Sequence, residues 1–372
     1  MPFMALYIET LHPYGKFELN LYAGLAFAVT YLAQAIVSPL WGNLADQKGR
    51  KLMCLRASGV MTFTIFAVGL VHHAWTIVLL RFVQGAFSGY INNATAFMAG
   101  ETPHNRSGAV MANMMTANVT GNLLGPLVGG LLAGFAGYRV TFFVCGAMMG
   151  IVFLLTLFNT KEHFTPIPAK KMKPMKEIFA QLENKQLIIA MFITTLFIQS
   201  ALMSIAPIVS LLVKSLMHGT GNVSFVSGVV AAMPGFGTLL VASRLGVKMD
   251  KIGPLKVLVF GLVAAMVVFL PMYFVTSPWS LGFWRFLLGI ANAALLPAVQ
   301  TVLTVSVPRE AFGRIFSYNQ SFQAAGAMLG SMMGSLISGL FNYQAVFLVT
   351  AALMALNLLL IWKVHRPLEN EK

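Results

Sequence analysis

Long intervals of the chain run on without a charged residue: 19–45, 57–80, 82–100, 107–138, 140–160, 186–213, 215–243, 257–284, 286–308 and 315–362. A helix needs about 20 mostly apolar residues to cross the hydrocarbon core of a bilayer, and nearly every interval has that length. The last holds two such lengths, with a turn at the polar sequence FNYQ (341–344). The pattern predicts spans near 20–41, 54–71, 75–98, 109–134, 140–159, 187–212, 223–243, 256–275, 279–303, 315–339 and 345–362. It describes an all-α polytopic membrane protein.

Composition agrees. The 372 residues are 58% hydrophobic and 10% charged, with a mean hydropathy of +0.77, whereas soluble domains carry about 25% charged residues. A large soluble domain is excluded. The net charge of +14 would suit a nucleic-acid partner, but its placement points elsewhere. Of 25 Lys and Arg, 20 fall in segments on one side of the spans, from Lys48, Arg50, Lys51 and Arg56 onward. Only Lys16, Arg139 and Lys214 fall on the other side, and Arg81 and Arg285 lie within spans. By the positive-inside rule the basic side, with the C-terminus, faces the cytoplasm. The charge therefore sets topology, and no nucleic-acid partner is expected. Cys54 and Cys145 lie on different spans without metal-ligand spacing, so neither a disulfide framework nor a metal site follows. Residues 1–30 show no basic n-region with a cleavage site, so no signal peptide is expected.

The chain resembles itself. "GNLADQKGRK" (42–51) returns as "GVKMDKIGPLK" (246–256), laying Asp46 and Gly49 on Asp250 and Gly253, 204 residues later. The same offset carries "RFVQG" (81–85) onto "RFLLG" (285–289). After a one-residue slip, an offset of 205 carries "LLGPLVGGLLAG" (123–134) onto "MLGSMMGSLISG" (328–339) and "YRVTFFV" (138–144) onto "YQAVFLV" (343–349). Six spans separate the two charged loops. Six is even, so the halves are parallel, related by an axis along the membrane normal, as in many secondary transporters.

This divides the chain into an N-terminal bundle (1–159), a basic cytoplasmic linker (160–186) and a C-terminal bundle (187–372). The 175–184 portion of the linker has the pattern of an amphipathic surface helix. Pro207 maps onto Pro2, so residues 1–10 read as the outer end of a first span whose other ~15–20 residues would precede Met1. Either Met1 is a mis-called start or the chain is naturally short.

"GNLADQKGRK" resembles the loop signature between the second and third helices of the major facilitator superfamily. "RFVQG" resembles its fourth-helix motif, and "GNLLGPLVGG" (121–130) the fifth-helix motif of drug–proton antiporters. The resemblance covers the chain from residue 1 onward and implies the two-bundle facilitator fold. It also implies a conformational latch at Gly42, Asp46, Gly49, Arg50, Asp250 and Gly253, with Asp46 and Arg50 holding the halves in one state. Orientation by basic charge alone is the plainer reading. It accounts for Lys48, Arg50 and Lys51 but not for Asp46 or the glycines. In the fifth-helix motif, Gly121, Gly125, Pro126, Gly129 and Gly130 carry the antiporter pattern, and Ser331 replaces Pro126 in the second copy. Glycines every fourth residue also allow close helix packing.

Candidate cavity residues come from polar positions inside spans, since an intramembrane charge is costly and usually faces protein or water. Arg81, Gln84, Ser88, Asn92 and Thr95 form one stripe, and Arg285, Gly289, Asn292 and Gln300 offer its mate. Asn113, Gln199 and Gln323 join them. Snorkelling of the two arginines and interhelical hydrogen bonding of the amides are the alternatives.

The expectation is a drug efflux transporter of the bacterial inner membrane, exporting small amphiphilic toxicants by alternating access. Proton antiport is implied by resemblance only. None of the eleven acids lies in mid-span and the seven His lie in loops or tails, which leaves Asp46, Glu9 or residues of the first-span portion expected before Met1 as carriers, or none. An uptake facilitator on the same fold and an inactive shortened transporter are the other readings. No nucleotide-binding glycine loop or metal cluster marks an enzyme, and no cofactor or obligate protein partner is implied.

Overall fold

The computed structural model describes residues 3–102, 107–162, 184–307 and 312–370, some of them as backbone only. The described helices are α1 (Met4–Leu11), α2 (Lys16–Lys48), α3 (Arg50–Val68), α4 (Ala74–Ala86), α5 (Tyr90–Glu101) and α6 (Ser107–Asn159). After the linker follow α7 (Lys185–Ile205), α8 (Val209–Leu216), α9 (Val223–Ile252), α10 (Pro254–Met272), α11 (Pro278–Ser306), α12 (Phe312–Leu340) and α13 (Ala345–Asn370). The 175–183 part of the linker's expected 175–184 helix lies outside the described residues. Among the described residues nine stretches are long and apolar enough to cross a membrane. One of them, Thr116–Asn159, is 44 residues long. It has the length for two crossings, and α6 breaks between them at Gly137 (φ 84°).

Three elements differ from the predicted spans, each for a local reason. The 75–98 span is two helices, α4 and α5, separated at Phe87–Gly89 with Gly89 left-handed. The predicted pair 109–134 and 140–159 is one helical run that only Gly137 interrupts. The 187–212 span is divided between α7 and α8 around Pro207, whose missing N–H cannot continue the helical ladder. Helix α12 has spanning length but does not join the apolar set, because Asn319, Gln320, Gln323 and several serines dilute it.

Helix starts follow sequence chemistry. Asn222 caps α9, its Oδ1 accepting from Phe225 N–H at 3.0 Å. Ser277 caps α11, accepting from Trp279 N–H at 3.3 Å, with Pro278 in the first turn, where its missing N–H costs nothing. The two charged-loop glycines adopt the same backbone, Gly49 at φ 93° and Gly253 at φ 90°. A side chain is strained there, so the repeat preserves geometry as well as letters.

Buried apolar residues form two clusters. One is drawn from 188–361, the other from 4–142 together with Leu211. The halves meet where α2 packs on α12 and α6 packs on α9. Under the repeat offsets, α2 corresponds to α9 and the first arm of α6 to α12. One contact is therefore made twice, as a two-fold axis between parallel bundles requires. Small residues permit it: a Cβ on Gly24 would strike Ser335, and one on Gly228, its equivalent, would lie 2.5 Å from the Pro126 carbonyl oxygen.

Candidate functional site

Arg81 enters the protein through a helix crossing. Gly85, one turn on, lets α4 approach the Thr30 carbonyl of α2 too closely for a side chain. Arg81 is only 7% exposed. Its Nε–H donates to the Ala26 carbonyl at 3.2 Å and its Nη1 to Gln84 Oε1 at 2.8 Å. The guanidinium carbon lies 5.7 Å from the Phe27 ring centroid, a favourable cation–π geometry. Thr30 Oγ1 donates to the Arg81 carbonyl at 3.1 Å.

The α4–α5 break has its own clamp. Trp41 Nε1 donates to the Ala86 carbonyl at 2.7 Å, and Arg56 Nη2 to the Ser88 carbonyl at 3.0 Å. Arg56 stacks 3.6 Å over the Trp41 ring. Carbonyls released by the interrupted helix are thereby satisfied without water, as a bilayer interior demands. The break re-aims α5, so Asn92 reaches the cavity while Thr95 turns back to the Ile91 carbonyl at 2.8 Å.

These residues wall a cavity of about 480 Å³ between the halves. The structure brings Arg81, Gln84 and Asn92 together with Gln199 of α7 and Gln323 of α12. Gln199 Oε1 is buried without a hydrogen-bond partner among the described residues; such an acceptor requires a donor, and the cavity is where one can enter. Asn113, by contrast, is exposed and outside the lining.

Arg285 and Asn292 also lie outside the lining. Arg285 Nε–H donates to the Val230 carbonyl at 3.0 Å and ties α11 to α9. Leu288 stands where the first half has Gln84, so the Arg81–Gln84 hydrogen bond has no counterpart at Arg285.

Sequence reasoning passed over Thr30, Tyr31, Gln34, Asn118 and Gln320, all of which line the cavity. The signal was present: Tyr31 and Gln34, like Gln320 and Gln323, sit three apart on one helix face inside charge-free runs.

At the charged loop, Glu162 accepts from Arg50 N–H at 2.7 Å and Lys51 N–H at 2.9 Å. Lys51 Nζ donates to the Leu157 and Thr160 carbonyls at 3.0 and 2.6 Å. A carboxylate thus completes the N-terminus of α3, where orphan N–H groups and the helix dipole favour it. Sequence reasoning did not single out Glu162. Gly42 lies within α2, and the side chains of Asp46 and Asp250 lie outside the described residues.

The fifth-helix glycines behave differently in the two copies. Gly326, Gly330 and Gly334 pack against the carbonyls of Leu196, Ser200 and Ser204 on α7. Gly121 and Gly125 have nothing within 4 Å of a Cβ position, and Gly129 meets only Phe3 at 3.2 Å. Gly130 faces the Ser224 carbonyl at 2.9 Å, across from α9. Under the repeat offset α1 corresponds to α8, eight residues each, so among the described residues no counterpart of α7 lies beside Gly121 and Gly125. A cavity of about 290 Å³ runs beside Gly121, Gly125, Pro126 and Phe3 instead.

Polar ties between the halves concentrate at the ends opposite the basic loops. Lys214 Nζ lies 2.6 Å from Glu9 Oε1, and Lys16 Nζ donates to the Phe341 carbonyl at 2.7 Å. Ser338 Oγ donates to Asn20 Oδ1 at 2.9 Å, and the Tyr138 and Ser224 hydroxyls lie 2.9 Å apart. Burial pushes the Tyr343 phenol in this layer above its ordinary value. Among the described residues no three His, Cys, Asp or Glu gather to hold a metal ion.

The family described as Major Facilitator Superfamily matches residues 1–248 and 208–372. Multidrug resistance protein MdtG of Citrobacter koseri is 45% identical over 366 residues, covering 98% of this chain and 90% of that protein. The MdtG of Salmonella arizonae is 44% identical over 362 residues, covering 97% and 90%. Among solved structures, a bacterial homologue of the human lysosomal transporter Spinster, inward-facing and unoccupied, superposes with a TM-score of 0.77 at 17% identity, covering 98% of this chain and 92% of that one. The nucleoside transporter NupG superposes with a TM-score of 0.72 at 16% identity, covering 98% and 96%.

Proposed function

The chain belongs to the Major Facilitator Superfamily, and from that premise we propose that it is a multidrug efflux transporter working by alternating access. The carrying observation is the polar cavity of about 480 Å³ shared by both halves, with Arg81 in its wall. Substrate sites of such two-fold transporters lie between the repeats, and residues of both halves, Arg81 and Gln199 among them, wall this cavity. The multidrug resistance relatives support drugs as the substrate class, here read as small amphiphilic toxicants.

The basic loops face the cytoplasm of a bacterial inner membrane, which puts the C-terminus inside. The ties of Glu9, Lys16 and Asn20 then close the outer face. Residues 1–159 and 187–372 act as two bodies rocking about the α2–α12 and α6–α9 contacts, and the charged loops latch one state. Asp46 and Arg50 fill that role, with Glu162 seating the loop. Protons drive export, as the antiporter-type sequence 121–130 supports, and Glu9 and Asp46 are the candidate carriers. The protein is a carrier and catalyses no covalent step.

Accumulation of a fluorescent amphiphile in cells tests this reading. Cells expressing the chain should hold less dye than empty cells, and a protonophore should erase the difference. Equal accumulation would refute efflux, and greater accumulation would indicate uptake.

A further inference from the structure

A third cavity, of about 460 Å³, lies on the lipid-facing side of the C-terminal half between α10 and α13. Its walls are Val259, Val263, Leu358 and Leu359, and its rim on the basic side is Lys256 and Trp362. Trp362 is 59% exposed, Leu359 59% and Val263 38%. Lys256 is exposed, as are Lys363, next to Trp362, and Lys251, the residue before the end of α9. An apolar trough of roughly 10 Å, seven residues of helix rise from Lys256 to Val263, thus ends in positive charge and an indole.

The internal repeat supplies the comparison. Lys256, Val263, Leu358 and Trp362 correspond to Leu52, Gly59, Phe153 and Leu157. In the first half the Phe153 ring lies over Gly59, 3.4 Å from a Cβ position there, and fills the space. At the rim, Lys51 is spent on the Leu157 and Thr160 carbonyls. The second half replaces the ring by Leu358, opens the trough, and places a lysine at its mouth where the first half has Leu52. One fold position is plugged in one copy and vacant in the other, and the vacant copy carries the charge.

We propose that this groove binds an anionic phospholipid of the leaflet on the basic side, an acyl chain lying between α10 and α13 and the headgroup phosphate meeting Lys256. Charge complementarity selects this occupant. Basic side chains at the membrane surface attract anionic lipids, tryptophan sits at headgroup level, and the apolar walls match a hydrocarbon chain. A zwitterionic lipid would gain less from Lys256, because its own ammonium offsets the phosphate charge.

Native mass spectrometry of the purified full chain tests the site, with added phosphatidylglycerol, phosphatidylcholine or glycerol phosphate as probes. Phosphatidylglycerol should be retained over phosphatidylcholine, and Lys256→Gln should lower that preference about fivefold, what one interfacial lysine supplies, while Lys256→Arg preserves it. Leu358→Phe, which restores the first-half plug, should displace the lipid at unchanged Lys256. Equal retention in wild type and Lys256→Gln would overturn the proposal. So would unchanged retention in Leu358→Phe, or glycerol phosphate competing as well as the lipid, since the groove would then contribute nothing. Should Leu358→Phe fail to fold, as monitored by its thermal transition, the Gln and Arg pair decides alone.

Discussion

Arg81 and Arg285 occupy equivalent positions and make equivalent hydrogen bonds, Nε–H to the Ala26 carbonyl at 3.2 Å and to the Val230 carbonyl at 3.0 Å. Residues 26 and 230 are themselves related by the 204-residue offset. Each arginine therefore staples a fourth-type helix to a second-type helix, which satisfies a buried charge with a backbone acceptor. Only in the first half does Gln84 extend that staple into a cavity.

The two arginines should separate in experiment. Arg81→Gln is expected to reduce efflux per folded molecule about tenfold, equivalent to ~1.4 kcal/mol of binding. Arg285→Gln should lower the thermal midpoint while leaving efflux per folded molecule near wild type. Efflux in vesicles normalised to folded protein reads both. Identical behaviour of the two variants would remove Arg81 from the transport site.

Gly289 and Gly121 make a second contrast. A Cβ at Gly289 would strike the Pro234 carbonyl, whereas Gly121 faces open space. Gly289→Ala should destabilise by about 1–3 kcal/mol through overpacking. Gly121→Ala should be neutral or stabilise by up to about 1 kcal/mol through helix propensity. Thermal unfolding in detergent measures both, and a reversed order would contradict the assigned packing.

Glu162 holds the start of α3 by two charge-assisted bonds. Glu162→Ala should cost roughly 0.5–2 kcal/mol, as loss of an N-terminal cap does, and Glu162→Gln less, because one acceptor oxygen remains. Hydrogen exchange at the Arg50 and Lys51 amides should accelerate in both variants, and more in Ala. Unaltered exchange would mean the contact bears no load.

Glu9 and Lys214 are 35% and 40% exposed, so their ion pair contributes at most about 1 kcal/mol. Lys214→Glu should raise labelling of Thr30→Cys from the outer side up to about fivefold, the factor carried by ~1 kcal/mol. The double exchange Glu9→Lys with Lys214→Glu should restore it, and high salt should shrink the difference. Labelling unmoved by charge reversal would show the outer layer to be held by Asn20–Ser338 and Tyr138–Ser224 instead.

The order of residues alone determined the spans, the basic side and the parallel repeat. Insertion depends on contiguous apolar length, and repeat offsets survive in sequence without any contact being known. Even the matching backbone of Gly49 and Gly253 was foreshadowed by their alignment. Tertiary structure decided which polar side chains share a space. Breaks at Phe87–Gly89 and around Pro207 change the rotational phase of the helices, so a stripe drawn for a straight helix keeps Asn92 and loses Thr95. It also decided that Gly330 is buried under α7 while Gly121 lies open, and that Arg81 lines a cavity while Arg285 serves as a staple. Those distinctions depend on the neighbour each helix face meets, a relation between distant segments that no single segment encodes.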